Sequence, residues 1–120
     1  MRRVKFKVIR IYNGRRYSTF AEGSYSLEYP KGTIVRAREE TRGVAVFRTK
    51  KQAEYFRDNY INLTIIHVRP IGRGRDVRLI CSDPSESQLN AFYRDRVQNF
   101  VMVSDVPPGT IFYPAVEVLD

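Results

Sequence analysis

The only histidine and the only cysteine, His67 and Cys81, are the residues best suited to covalent chemistry. An imidazole beside a thiol lowers the thiol's pKa and makes it a nucleophile. If residues 63–81 form a hairpin centred on Gly74, the two side chains oppose one another across its strands. Each also sits in ordinary strand sequence, Thr64-Ile65-Ile66-His67-Val68 and Val77-Arg78-Leu79-Ile80-Cys81, where a free cysteine acts as a small hydrophobe. Two such residues cannot complete a structural zinc site, and neither a metal nor a cofactor is expected. Glu39 and Glu40 are adjacent, so their side chains diverge and form no general acid–base pair.

Arginine is the more abundant resource, sixteen residues against five lysines. Its planar fork matches phosphate and carboxylate and stacks on aromatic rings. The net charge of +8 is uneven: +7 over residues 1–20, +2 over 21–60, +3 over 61–80 and −4 over 81–120. Clustered basic residues supply the sequence-independent part of phosphate binding. Arg10, Arg15 and Arg16 lie beside Tyr12 and Tyr17, an interleaving that suits single-stranded nucleic acid. Arg73 and Arg75 lie in Gly72-Arg73-Gly74-Arg75-Asp76, read as an exposed, mobile tip. This stretch lacks the G-x-x-x-x-G-K-[ST] pattern of a phosphate loop. The five arginines are the candidate nucleic-acid-binding residues.

The elements that must carry these residues are legible in outline. Lys5–Tyr12 mixes β-branched and aromatic residues, and Asn13-Gly14 predicts a type I′ hairpin into Arg15–Phe20. That register sets Tyr12 opposite Arg15, Arg10 opposite Tyr17 and Val8 opposite Thr19. Both hairpin faces carry apolar residues, so both are expected to be partly covered. Tyr25–Tyr29, Thr33–Ala37 and Val44–Phe47 read as strands. Thr49 and Gln52 predict a capping box for a helix from about Lys50 to Asn59. Leu63–Ile71 and Val77–Cys81 are expected as the next strand pair, joined by Gly72–Asp76. Asp83-Pro84 starts a second helix whose stripe runs through Leu89, Phe92, Arg96 and Val97. Phe100–Val103 and Ile111–Leu119 are the last strands, Pro114 making the final one an edge or interrupting it. The expectation is one α+β domain over residues 1–120, with a mainly antiparallel or mixed sheet and two short helices.

Tyr29-Pro-Lys-Gly32, Val35-Arg-Ala37, Gly43-Val-Ala-Val-Phe47 and Ala53-x-x-Phe56 resemble a pattern in small uncharacterised proteins of viruses and phages. Those proteins also begin with a basic strand and a glycine-containing turn, as Val8–Arg16 does here. The resemblance implies an accessory protein of the host cytoplasm and carries no catalytic residues across. Arg10 with Ser18-Thr19 is similar to ADP-ribosyl-transferring folds, but the strand bearing their catalytic glutamate has no counterpart.

No apolar run approaches the ~20 residues needed to span a bilayer, and no secretory leader is expected. A lone cysteine fits a reducing cytoplasm. The expected function is cytoplasmic binding of nucleic acid or an acidic protein through a basic surface. The alternatives are a small enzyme using Cys81 and His67, or an assembly protein acting as a homo-oligomer.

Overall fold

The computed structural model describes residues 4–19, 21, 23–38, 41–77, 79–81, 85–90, 92–93 and 103–120. The strands are β1 (Lys5–Tyr12), β2 (Arg15–Ser18), β3 (Ile34–Arg36), β4 (Val44–Phe47), β5 (Leu63–Ile71), β6 (Leu79–Cys81), β7 (Val103–Asp105), β8 (Thr110–Tyr113) and β9 (Ala115–Val118). The helices are α1 (Lys50–Asp58) and α2 (Glu86–Asn90). Strand pairing among the described residues is antiparallel, and the fold is α+β.

The N-terminal hairpin forms in the register set by its turn. Asn13 and Gly14 both adopt positive φ, 51° and 74°, as a type I′ turn requires. Arg10 faces Tyr17 and Tyr12 faces Arg15. Both faces are covered at the base, where Val8 packs towards α1 and Ile9 into the main core. Thr49 caps α1, its hydroxyl accepting the backbone N–H of Gln52 at 3.2 Å. The capping box is only half built, because Gln52 Oε1 is buried without a hydrogen-bond partner among the described residues. Helix α1 lays Ala53 and Phe56 against Phe47 and Val8 of the sheet.

The main sheet runs β3-β9-β5-β1-β4-β8, with β2 added beside β1. Strands β8 and β9 are separated only by Pro114, yet β8 pairs with β4 while β9 pairs with β5 and β3. Pro114 therefore interrupts the final strand, and the bend there curls the sheet back upon itself. Inside the curl lie Ile9, Val44, Val46, Val68, Val116 and Val118, each at most 2% exposed. Strand β5 lies between two partners that overlap at Val68: β1 pairs with one edge from Leu63 to Val68, and β9 with the other from Val68 to Ile71. Pro70 lies beyond the β1 pairing, so its missing N–H removes no bond to that strand.

Two expectations fail. Among the described residues of 63–81 no hairpin forms, because β1 and β9 occupy the edges of β5, while β6 pairs with β7 in a separate two-stranded sheet. Tyr25–Tyr29 is not a regular strand. Gly23–Tyr25 is a 3-10 turn, and Glu28 makes only an isolated bridge to Tyr17. Tyr25 is drawn into a cluster with Cys81, Leu89 and Phe92, whereas Tyr29 enters the main core, so the chain cannot stay straight between them. The helix start at Asp83-Pro84, the stripe positions Arg96 and Val97, and Glu39 and Glu40 lie outside the described residues.

Candidate functional site

Side chains on paired strands alternate between faces, so the hairpin register decides which arginines share a surface. Arg10, Tyr12, Arg15 and Tyr17 fall on one face, each arginine directly opposite a tyrosine. The Arg10 guanidinium carbon lies 5.7 Å from the Tyr17 ring centroid, and Nε donates to the Ser18 carbonyl at 3.2 Å. Tyr12 is 61% exposed. Arg15 approaches Glu28 at 3.9 Å, both side chains being exposed, so this pair adds little and leaves the guanidinium reachable. Arg16 falls on the opposite face and donates to the backbone oxygen of Asp120. At the same end of the sheet the chain enters β5 through the exposed Tyr60 and Ile61.

Arg73 and Arg75 do not join this surface. Leu63 pairs with Arg10, whereas Gly72 follows Ile71 at the far end of the nine-residue β5. That separation is roughly 26 Å at the usual rise per strand residue. Both arginines are exposed, as expected, but the segment is not a free arm. Arg75 N–H donates to the Phe112 carbonyl at 2.8 Å, and Phe112 N–H donates to the Arg75 carbonyl at 3.0 Å. Asp76 also pairs with Arg48. The two arginine groups are therefore separate surfaces.

His67 and Cys81 are held apart. His67 Nδ1 lies 2.6 Å from Asp120 Oδ2, and its backbone N–H donates to Asp120 Oδ1 at 2.7 Å. Burial raises the Asp120 carboxyl, but the His67 hydrogen bonds and the Arg16 charge outweigh it and hold the group below its usual value. Cys81 is buried in the Tyr25 cluster. Iodoacetamide should therefore label Cys81 slowly in the native protein and rapidly once urea unfolds it. Fast native labelling that His67→Ala abolishes would restore the dyad.

Lys7 is a further residue of interest, outside the five candidate arginines. Lys7 shares the inward side of β1 with Ile9 and is 7% exposed. The reason lies in how β1 is flanked. β4 meets it at Phe6 opposite Phe47, and β2 pairs from Ile9 onward, leaving a gap at Lys7. Across this gap Lys7 Nζ donates to the Ala45 carbonyl at 2.8 Å, and it lies 5.2 Å from the Tyr29 ring centroid. Burial pushes its ammonium down to about 8. Burial also pushes the Tyr29 hydroxyl up to about 12, against a hydrogen bond with Ser18 that works the other way. A partly open cavity of about 490 Å³ adjoins Lys7, between the sheet and the Tyr25–Cys81–Leu89 cluster. The available signal was a lysine between Phe6 and Val8 on a strand with two apolar faces.

Among the described residues no group of three His, Cys, Asp or Glu side chains could hold a metal ion. Among them, no helix is long and apolar enough to cross a membrane. No family model, curated protein or solved structure matches this chain. The chain is thus an α+β protein whose described residues form a curled antiparallel sheet, an arginine–tyrosine hairpin face and a partly open cavity.

Proposed function

We propose that this protein is a cytoplasmic binding protein that contacts single-stranded nucleic acid through the hairpin face of Arg10, Tyr12, Arg15 and Tyr17. One observation carries the reading: the register alternates arginine and tyrosine on one hairpin face, with Tyr12 and Arg15 exposed and Arg10 and Tyr17 half-buried. Guanidinium groups neutralise phosphates, while the exposed Tyr12 ring offers a face on which a base can stack. The resemblance to viral and phage proteins supports an accessory role in a host cell. Arg16 contributes less, because its guanidinium is already engaged by Asp120 on the other face.

The test is fluorescence anisotropy with a labelled oligothymidylate across a salt series. Arg10→Ala/Arg15→Ala should weaken binding about tenfold and lower the salt slope by roughly 1.4, about 0.7 per single-strand phosphate contact. Arg73→Ala/Arg75→Ala should leave both unchanged. Tyr12→Ala distinguishes the partners. It costs about 1 kcal/mol or more if bases stack there, and nothing if the arginines serve an acidic protein. Unchanged affinity and slope in the Arg10/Arg15 double variant would exclude the hairpin.

A further inference from the structure

Lys7 and Arg10 point to opposite faces of β1, so nothing the hairpin surface does requires Lys7. An ammonium has three N–H donors, and the Ala45 carbonyl takes one. Among the described residues no carboxylate lies within ion-pair distance of Nζ, so the buried charge lacks a counter-ion. Such burial is costly unless something compensates for it. The adjoining cavity has the volume of a small-molecule site. Its wall is largely aromatic and aliphatic, including Leu27, Phe47, Leu89 and Phe112, and Arg38 adds a second cation. The other titratable groups lining it are Tyr25, Tyr29, Cys81, Tyr93 and, on exposed residues, Tyr60 and Asp105.

The geometry points to a second binding site, for a small organic anion with an aromatic body, whose charge is held by Lys7 Nζ inside this cavity. An ammonium held by the Ala45 carbonyl and the Tyr29 ring face, with no counter-ion among the described residues, selects an anion over a neutral molecule or a cation. The apolar walls select a ring-bearing anion over free phosphate. The site stands apart from the hairpin face and does not depend on nucleic-acid binding.

The probe is anilinonaphthalene sulfonate, compared with neutral phenyl-naphthylamine, which carries the same rings without the sulfonate. At pH 7 the sulfonate should bind about tenfold tighter than the neutral dye, as a charge-assisted hydrogen bond provides. Lys7→Met should abolish that preference while the neutral dye still binds, with circular dichroism confirming the fold. A second arm leaves Lys7 in place. In Cys81→Ser, which has no thiol to titrate, the preference should fall about fivefold between pH 7 and pH 9.5, as Lys7 loses its proton through about 8. Other lysines keep most of their charge in that window. Equal binding of the two dyes at pH 7, a preference that survives Lys7→Met, or one that ignores pH overturns the proposal.

Discussion

Gly43→Ala is expected to destabilise the fold by about 3 kcal/mol or more, against about 1 kcal/mol for Gly32→Ala. Both glycines have positive φ, 120° at Gly43 and 81° at Gly32, so an L side chain is strained at either position. Their surroundings separate them. A Cβ on Gly43 would sit 2.8 Å from the backbone oxygen of Tyr113, whereas one on Gly32 meets nothing within 4 Å. Gly43 leads directly into Val44, which pairs with Tyr113, so the obstruction falls on the β4–β8 ladder. A backbone carbonyl fixed in a sheet cannot rotate away as a flexible side chain can. Urea unfolding of the two variants measures the contrast. Equal losses would mean that β8 yields easily and that Gly43 is required only for its φ.

The second large effect comes from pH. The folded protein should gain about 2 kcal/mol of stability from Lys7 between pH 7 and pH 9.5, and Lys7→Met should lose this gain. Burial lowers the Lys7 pKa from 10.5 to about 8 in the folded state. Between these values the unfolded chain binds more protons, so raising the pH favours folding. Below about 8 the lysine is charged in both states, and the full burial penalty applies. Tyr29 acts in the opposite sense higher up. Its pKa is raised from 10.0 to about 12, so the folded state holds more protons in that interval and stability falls as pH climbs through it. Urea midpoints for the wild type and Lys7→Met across this range isolate the lysine contribution, because other titrations are common to both. A constant difference between the two proteins would show that Lys7 keeps an ordinary pKa.

Features set by neighbouring residues were readable from the sequence. Asn13-Gly14 dictated the β1–β2 register, and with it the face shared by Arg10, Tyr12, Arg15 and Tyr17. Thr49 marked the start of α1, and the short apolar run Val44–Phe47 after Gly43 marked β4. These signals act over a few residues, through turn dihedrals, cap hydrogen bonds and side-chain period. The α+β class followed from their order along the chain.

Tertiary structure alone decided what depends on which strand edges are occupied. A hairpin between residues 63–71 and 77–81 was reasonable for consecutive strands, but β1 and β9 already hold the edges of β5. His67 therefore meets Asp120, while Cys81 packs with Tyr25 and Leu89. Pro114 could be read as an interruption, but not as the bend that sends β8 to β4 and β9 to β5. Lys7 is the clearest case. Lys5-Phe6-Lys7-Val8 alternates like a strand with one solvated side, and although Ile9 and Ile11 make that face partly apolar, nothing local says that Lys7 itself is buried there. Its burial follows from the gap between β2 and β4 along β1 and from the closure of the sheet around it. Both depend on pairings between residues far apart in sequence, which local propensities do not encode.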